Sequence, residues 1–310
     1  MIASRRPLSC AVMLSALLLA MSLAGCPRKG PGVMPASAFD ARKLVPADSL
    51  AVISVDVPTI LARPGIATDP ALVSELSEKV KRMLGVDPAL MRDTLIFVAP
   101  VVGERIPGRG AAIIPQRLHD APGLGALSGA TLHAGQPIYR VGTRASLTFL
   151  DGATVVGDAQ SVRRIVDASR GQGASLPVDD KLYAVLDGLS PAPFRFAVPA
   201  KAMTSLLSGL GIPGLDKIHT AGGSADFTDK DLVVKGLALT SAPEALATTL
   251  KNLVREFAGK LAQSTLFKVF GDILAGVEVV AGADRVSVGL KVPLDLVRGV
   301  LPMVLSSLGL

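Results

Sequence analysis

Leu147-Thr-Phe-Leu-Asp-Gly-Ala-Thr-Val-Val-Gly-Asp158 is the stretch that decides how the rest of the chain is read. Apolar, β-prone residues flank Asp151-Gly152, a pair that tolerates positive φ, so a hairpin closed by a type I′ turn is predicted. Asp158 then offers a carboxylate to cap a helix. Val162, Ile165 and Val166 follow at helical spacing, and Gly171 marks the stop. A hairpin followed at once by an amphipathic helix predicts an α+β fold, with antiparallel strands packed against helices.

The same grammar extends in both directions. Upstream, Leu50 to Asp56 is a β-rich run, Asp69-Pro70 opens a helix that Gly85 ends, and Thr94–Val98 and Ala111–Ile114 are short strands. Downstream, Phe194–Val198 leads into a helix opened by Pro199. Thr220–Phe227 and Leu232–Leu239 form a second hairpin around Asp229-Lys-Asp231. Ser241-Ala-Pro-Glu244 has the spacing of a capping box ahead of a helix carrying Leu246, Leu250, Leu253, Val254 and Phe257. A further helical stretch runs from Leu261 to Leu274. Val277–Val280 against Val286–Leu290 is a third hairpin, and Pro293 starts a last helix with Leu294, Val297, Leu301 and Leu305. Val57-Pro58 and Val198-Pro199 both close a strand and start a helix. The expectation is two related modules of antiparallel sheet built from hairpin-then-helix units, residues 44–174 and 175–310.

The N-terminus carries an address. Arg5 and Arg6 precede the mostly apolar Leu8 to Leu23, the layout of a secretory signal spanning residues 1–25. Leu23-Ala24-Gly25-Cys26 resembles the lipobox of bacterial lipoproteins, a large apolar residue, two small ones and a cysteine. The resemblance implies acylation and cleavage at Cys26, with the chain then held in a membrane by its lipid. Residues 26–43 are rich in Pro, Gly and basic residues and read as a tether with a reach of roughly 20–25 Å. Losing residues 1–25 removes Arg5, Arg6 and Cys10, so the net charge falls from +6 to +4 and the one remaining cysteine is the acylated one. No disulfide is then possible.

Leu44-Val-Pro-Ala-Asp-Ser-Leu-Ala-Val-Ile-Ser-Val-Asp56 is similar to the opening of a family of uncharacterised secreted bacterial proteins, whose domains begin with a Pro-Ala-Asp turn before a strand. Leu147 to Ala168 resembles a second feature of that family, a strand, a Gly turn, a Val-Gly-Asp and a helix. The resemblance implies a periplasmic or surface lipoprotein and supplies no site residues.

The residues themselves argue against chemistry. His119, His133 and His219 are far apart, with no metal-ligand spacing, so no metal is expected. There is no Gly-x-Ser-x-Gly elbow, and Ser224 in Ala221-Gly-Gly-Ser-Ala225 reads as a turn or bulge. Gly123 to Gly129 does not fit a dinucleotide fingerprint, and Gly103 to Gly110 reads as a basic loop tip. With no Trp and two Tyr, a sugar-stacking cleft is not supported. The weak, dispersed positive charge excludes nucleic acid as a partner. No cofactor is expected, and the chain is read as a non-enzyme.

What remains is apolar surface, in a chain of mean hydropathy +0.48. Helices this apolar face a core, a partner, a membrane or an apolar ligand. The leading expectation is a membrane-anchored envelope lipoprotein acting as a structural or protein-interaction module. The alternative is a carrier that shelters a lipid in a cavity lined by residues such as Leu253, Phe257, Leu301 and Leu305.

Overall fold

The computed structural model describes residues 39–67, 70–100, 109–119, 126–142, 145–189, 191–207, 215–263 and 268–297. The strands are β1 (Ala51–Val55), β2 (Thr94–Ala99), β3 (Arg109–Ile114), β4 (Ser128–His133), β5 (Gln136–Val141), β6 (Ala145–Leu150), β7 (Ala153–Gly157), β8 (Phe194–Pro199), β9 (Ile218–Phe227), β10 (Asp231–Thr240), β11 (Glu278–Ala281) and β12 (Arg285–Pro293). The helices are α1 (Val57–Leu61), α2 (Pro64–Ala67), α3 (Pro70–Leu84), α4 (Ala159–Ser169), α5 (Lys181–Gly188), α6 (Ala200–Leu207), α7 (Pro243–Ala262) and α8 (Lys268–Ala275). The fold is α+β. One 12-stranded sheet runs in the order β11-β12-β10-β9-β8-β1-β2-β3-β7-β6-β5-β4, and its strand pairs are antiparallel.

The period of two along each strand sends side chains to opposite faces. In β1, Val52 joins one core while Ile53 and Val55 join the other. The Val52 face packs on α4 through Val162, Ile165 and Val166, and on α5 through Leu182, Tyr183 and Leu186. The Ile53 face packs on α1 through Val57, Ile60 and Leu61. A third cluster joins Met203 of α6, Leu246 and Ala247 of α7, and Ile218, Val279 and Val286 of the sheet. Strands with apolar residues on both faces are what a sheet covered by helices on both sides requires.

Local signals work as expected in several places. Asp158 caps α4, its Oδ1 accepting from the amides of Gln160 and Ser161, and its Oδ2 also accepts from the amide of Gly110 in β3. The three expected hairpins are β6–β7, β9–β10 and β11–β12. The turn type is different. Only Gly152 of the Asp151-Gly152 pair has positive φ (+78°), so that turn is not type I′. The two-residue turn with both φ values positive is Ala134-Gly135 (47° and 76°), joining β4 to β5. That hairpin escapes the sequence reading because alanine is a poor first residue for such a turn.

Other expectations are corrected. The helix α7 starts at Ala242-Pro243, and its N-cap Ala242 makes no side-chain cap. Pro243 occupies the first turn, so Ser241 lies one residue too early to form the capping box. The stretch Leu261–Leu274 is divided between the end of α7 and α8. Ser224 lies inside continuous β9, neither turn nor bulge. The glycine before it by two, Gly222, is required by close approach, since a Cβ there would sit 2.1 Å from the Phe196 carbonyl oxygen. The end of the expected tether is folded: Asp40 caps a short helix at Ala41–Leu44, with Ala41 and Leu44 buried. The signal peptide, Cys26 and the last helix beyond Val297 lie outside the described residues.

Candidate functional site

The helix α7 carries one continuous apolar stripe, Leu246, Leu250, Leu253, Phe257 and Leu261, at steps of three and four residues. Its first member is 2% exposed, held against Ile218, Val279 and Val286 of the sheet. Leu250 and Leu253 are half-buried, and Phe257 is 55% exposed. The helix has 20 residues and so extends for roughly 30 Å. It lies on the end of the sheet, touching β10, β11 and β12, and β11 has only four residues. Among the described residues, the stripe therefore outruns the strands it packs on.

A second helix supports the overhang. In α8, a Cβ on Gly271 would stand 2.9 Å from the carbonyl oxygen of Ala258 and 2.9 Å from the amide nitrogen of Ala262, so glycine lets the two backbones meet. Ala258 is buried in that crossing, while Phe257 beside it is not. On α8, Val269 is 53% exposed. On these two helices Lys251, Arg255, Glu256, Lys260, Lys268 and Asp272 are all exposed. Lys260 pairs with Glu256 one turn back and lies 6.0 Å from the centre of the Phe257 ring, a cation–π contact.

Of the residues expected to line an apolar site, Leu253 and Phe257 thus share this overhang, with Phe257 open to solvent. Leu301 and Leu305 lie outside the described residues, as do the lipobox residues Leu23, Ala24, Gly25 and Cys26. Val269 was missed by the sequence reading. Its signal was present in the apolar Leu261–Leu274 stretch, but the break between α7 and α8 was not.

A polar pocket of about 280 Å³ lies elsewhere, lined by Pro46, Asp48, Arg164, Asp167, Gln172 and Gly173 among others. Its charges answer one another. Arg164 pairs with Asp48, and His133 Nε2 is hydrogen-bonded to Asp167 Oδ1 at 2.7 Å. The amide of Ala47 donates to the carbonyl of Ala174 at 3.1 Å, and that of Leu176 to Val45 at 2.8 Å. This pocket is a joint between the Pro46-Ala-Asp48 turn and the end of α4.

Nearby, Arg42 grips Asp187 through its two terminal guanidinium nitrogens, Nη1 and Nη2, at 2.9 and 2.5 Å, and its carbonyl accepts from the Tyr183 hydroxyl at 2.8 Å. The hydrogen bond from Arg42 holds the Asp187 carboxyl below the usual carboxylate range. Burial raises the Tyr183 phenol. These groups tie the Ala41–Leu44 helix to α5. His119 packs against Phe149 in a tilted contact, ring centres 4.9 Å apart and planes at 58°. Among the described residues, no three His, Cys, Asp or Glu side chains gather as metal ligands, and no helix is long and apolar enough to cross a membrane.

No family model matches the chain, and no curated protein does. Among solved structures, crystal form I of TP0453 is similar at a TM-score of 0.48 and 8% identity, over 86% of this chain and 98% of that one. Crystal form IV of TP0453 gives a TM-score of 0.44 at 8% identity, over 85% and 97%. Crystal form III gives 0.43 at 7%, over 85% and 98%.

Proposed function

We propose that this chain is a lipid-anchored protein of the bacterial cell envelope whose body is a non-enzymatic interaction module, docking a protein partner on the overhang of α7 and α8. The observation that carries the reading is the apolar stripe that starts buried at Leu246 and ends exposed at Phe257. A helix spends such a stripe on a partner when its own core stops short. An open Phe257 suits a surface contact better than the wall of a sealed lipid cavity. The lipobox-like Leu23-Ala-Gly-Cys26 supports the membrane attachment.

The same reading takes the body as two related modules. Support comes from strand order: β1-β2-β3-β7-β6 on one side and β8-β9-β10-β12-β11 on the other follow one path outward from the β1–β8 pair. The first strands meet antiparallel, Ile53 opposite Phe196, as a local two-fold would arrange them. Between third and fourth strands the first half inserts β4–β5, and the second inserts α7–α8. The overhang thus belongs to an insertion that the first half does not share.

Two experiments test this. Radiolabelled palmitate fed to cells should enter the full chain and be lost in Cys26→Ala, which should also leave the membrane fraction. Incorporation that persists in that variant would remove the anchor. A photoreactive aromatic residue placed at 257 should yield a discrete protein adduct in intact cells, whereas one placed at Thr131, exposed on β4 at the opposite end of the sheet, should not. Equal adducts from both positions would remove the docking surface.

A further inference from the structure

We infer that the chain's own segment 298–310 occupies a trough on the sheet between two of the cores, continuing the helix begun at Leu294, with Leu301 over Val234 and Leu290 and with Leu305 over Gly236. This placement stands whether or not α7 docks a partner. The trough is visible along β10. Leu232 and Val234 pack with the Ile53 cluster and Ala238 with the Met203 cluster, while Leu237 and Leu239 belong to the opposite face. The two clusters thus share one face of the sheet without joining. Between Val234 and Ala238 stands Gly236, whose cross-strand neighbours are Gly223 on β9 and Val288 on β12. The Phe196 ring lies over Gly223, where a Cβ would meet its Cε1 at 2.8 Å. A Cβ on Gly236 would come no nearer than 3.6 Å to another atom among the described residues. Beside it Val234, Val288 and Leu290 are only half-buried. An apolar strip inside a sheet face, with packed helices on either side, calls for a further covering element.

The chain arrives at that strip. At the end of β12 the Leu294 amide donates to the Lys230 carbonyl at 2.9 Å, and residues 294–297 are helical. Leu294 is 5% exposed and Val297 packs on the Ile53 cluster, so the helix sets out along this face. Its apolar stripe continues through Leu301, Val304, Leu305 and Leu308. As a helix, residues 294–310 span roughly 25 Å, against roughly 30 Å for β12, so the segment runs back along most of that strand. Lengths also set the register. The Val234–Leu290 pair lies three residues back from Pro293, roughly 10 Å, which is the rise from Leu294 to Leu301. The Gly236–Val288 pair lies five residues back, roughly 17 Å, which is the rise from Leu294 to Leu305. A large side chain then stands over the residue that has none. Pro302 removes one hydrogen bond, to the Arg298 carbonyl, and bends the helix there. In this place Leu301 and Leu305 are core residues and not the wall of a lipid cavity.

The test puts cysteine pairs into the full chain and joins them with a short bis-maleimide. One pair is Gly236→Cys with Leu305→Cys, and a second is Val234→Cys with Leu301→Cys. The control is Lys235→Cys with Leu305→Cys, because Lys235 is exposed and alternates onto the other face of β10. Circular dichroism checks that each variant is folded, and the second pair serves if the first is not. Mass spectrometry of the linked peptides identifies the residues joined. Both trough pairs should link within one chain at least about tenfold faster than the control, since effective concentration is near zero where a linker cannot span two sites. Comparable linking of the control, no link from a folded trough pair, or links only between separate chains would overturn the placement.

Discussion

Two helices of this molecule have similar sequence periodicity and opposite fates. In α4 the apolar residues Val162, Ile165 and Val166 are completely enclosed against β-strands and α5. In α7 the stripe begins enclosed at Leu246 and ends open at Phe257. The caps differ in the same direction. Asp158 satisfies two amides of α4 and one of β3, whereas Ala242 gives α7 none through its side chain. An apolar period says that a face will be covered. It does not say whether the cover comes from the same chain.

The sharpest way to break the comparison is to remove apolar volume from each helix. Ile165→Ala should cost about 3 kcal/mol, the transfer loss plus a cavity that the sheet above cannot close. Phe257→Ser should change stability by no more than about 0.5 kcal/mol, because the ring is already largely in water. Urea denaturation of the purified proteins reads both. A large loss at Phe257 would mean that the ring is covered in solution, and the contrast with α4 would disappear.

Caps give the next effects. Asp158→Ala should cost about 1–2 kcal/mol, since it orphans the first-turn amides and unties Gly110 from α4. The reverse change sharpens the contrast from the other side. Ala242→Asp supplies the missing carboxylate ahead of Pro243 and should stabilise by about 0.5–1 kcal/mol. Denaturation midpoints check both, and no gain from Ala242→Asp would show that a carboxylate at 242 does not reach the first-turn amides.

How legible was this in the amino-acid order? The β6–β7–α4 unit was read nearly residue for residue, because Asp158 and the Val162–Val166 face are local signals with local consequences. The β4–β5 hairpin was missed because Ala134 holds a positive φ that its residue type disfavours, so tertiary packing set the turn. Ser224 was misread because Gly222 and Gly223 look like turn residues. Their real cause is contact with Phe196 on the next strand, which local sequence does not display. For the overhang, Phe257 was legible as apolar and its exposure was not, since that depends on where the sheet stops.

The smallest predicted effect concerns the clasp between the Ala41–Leu44 helix and α5. Asp187 is depressed below its ordinary value of 3.8 chiefly by its hydrogen bond with Arg42. A carboxyl lowered in the folded state stabilises the fold at pH values above its unfolded value, and that contribution is lost as pH falls through the folded value. The side chains of Arg42 and Asp187 are 32% and 54% exposed, so solvent screens the pair, and Asp187→Asn should cost only about 0.5 kcal/mol at pH 7. The gap between parent and variant should shrink as pH falls below the ordinary 3.8, closing once the folded-state carboxyl is protonated, and narrow with added salt. Denaturation at pH 7 and at pH 3, with and without 0.5 M salt as the approximate upper concentration, reads this directly. A gap that stays constant across pH would assign the stabilisation to the packing of Arg42 over the Tyr183 ring, 5.1 Å away, instead of to the carboxylate.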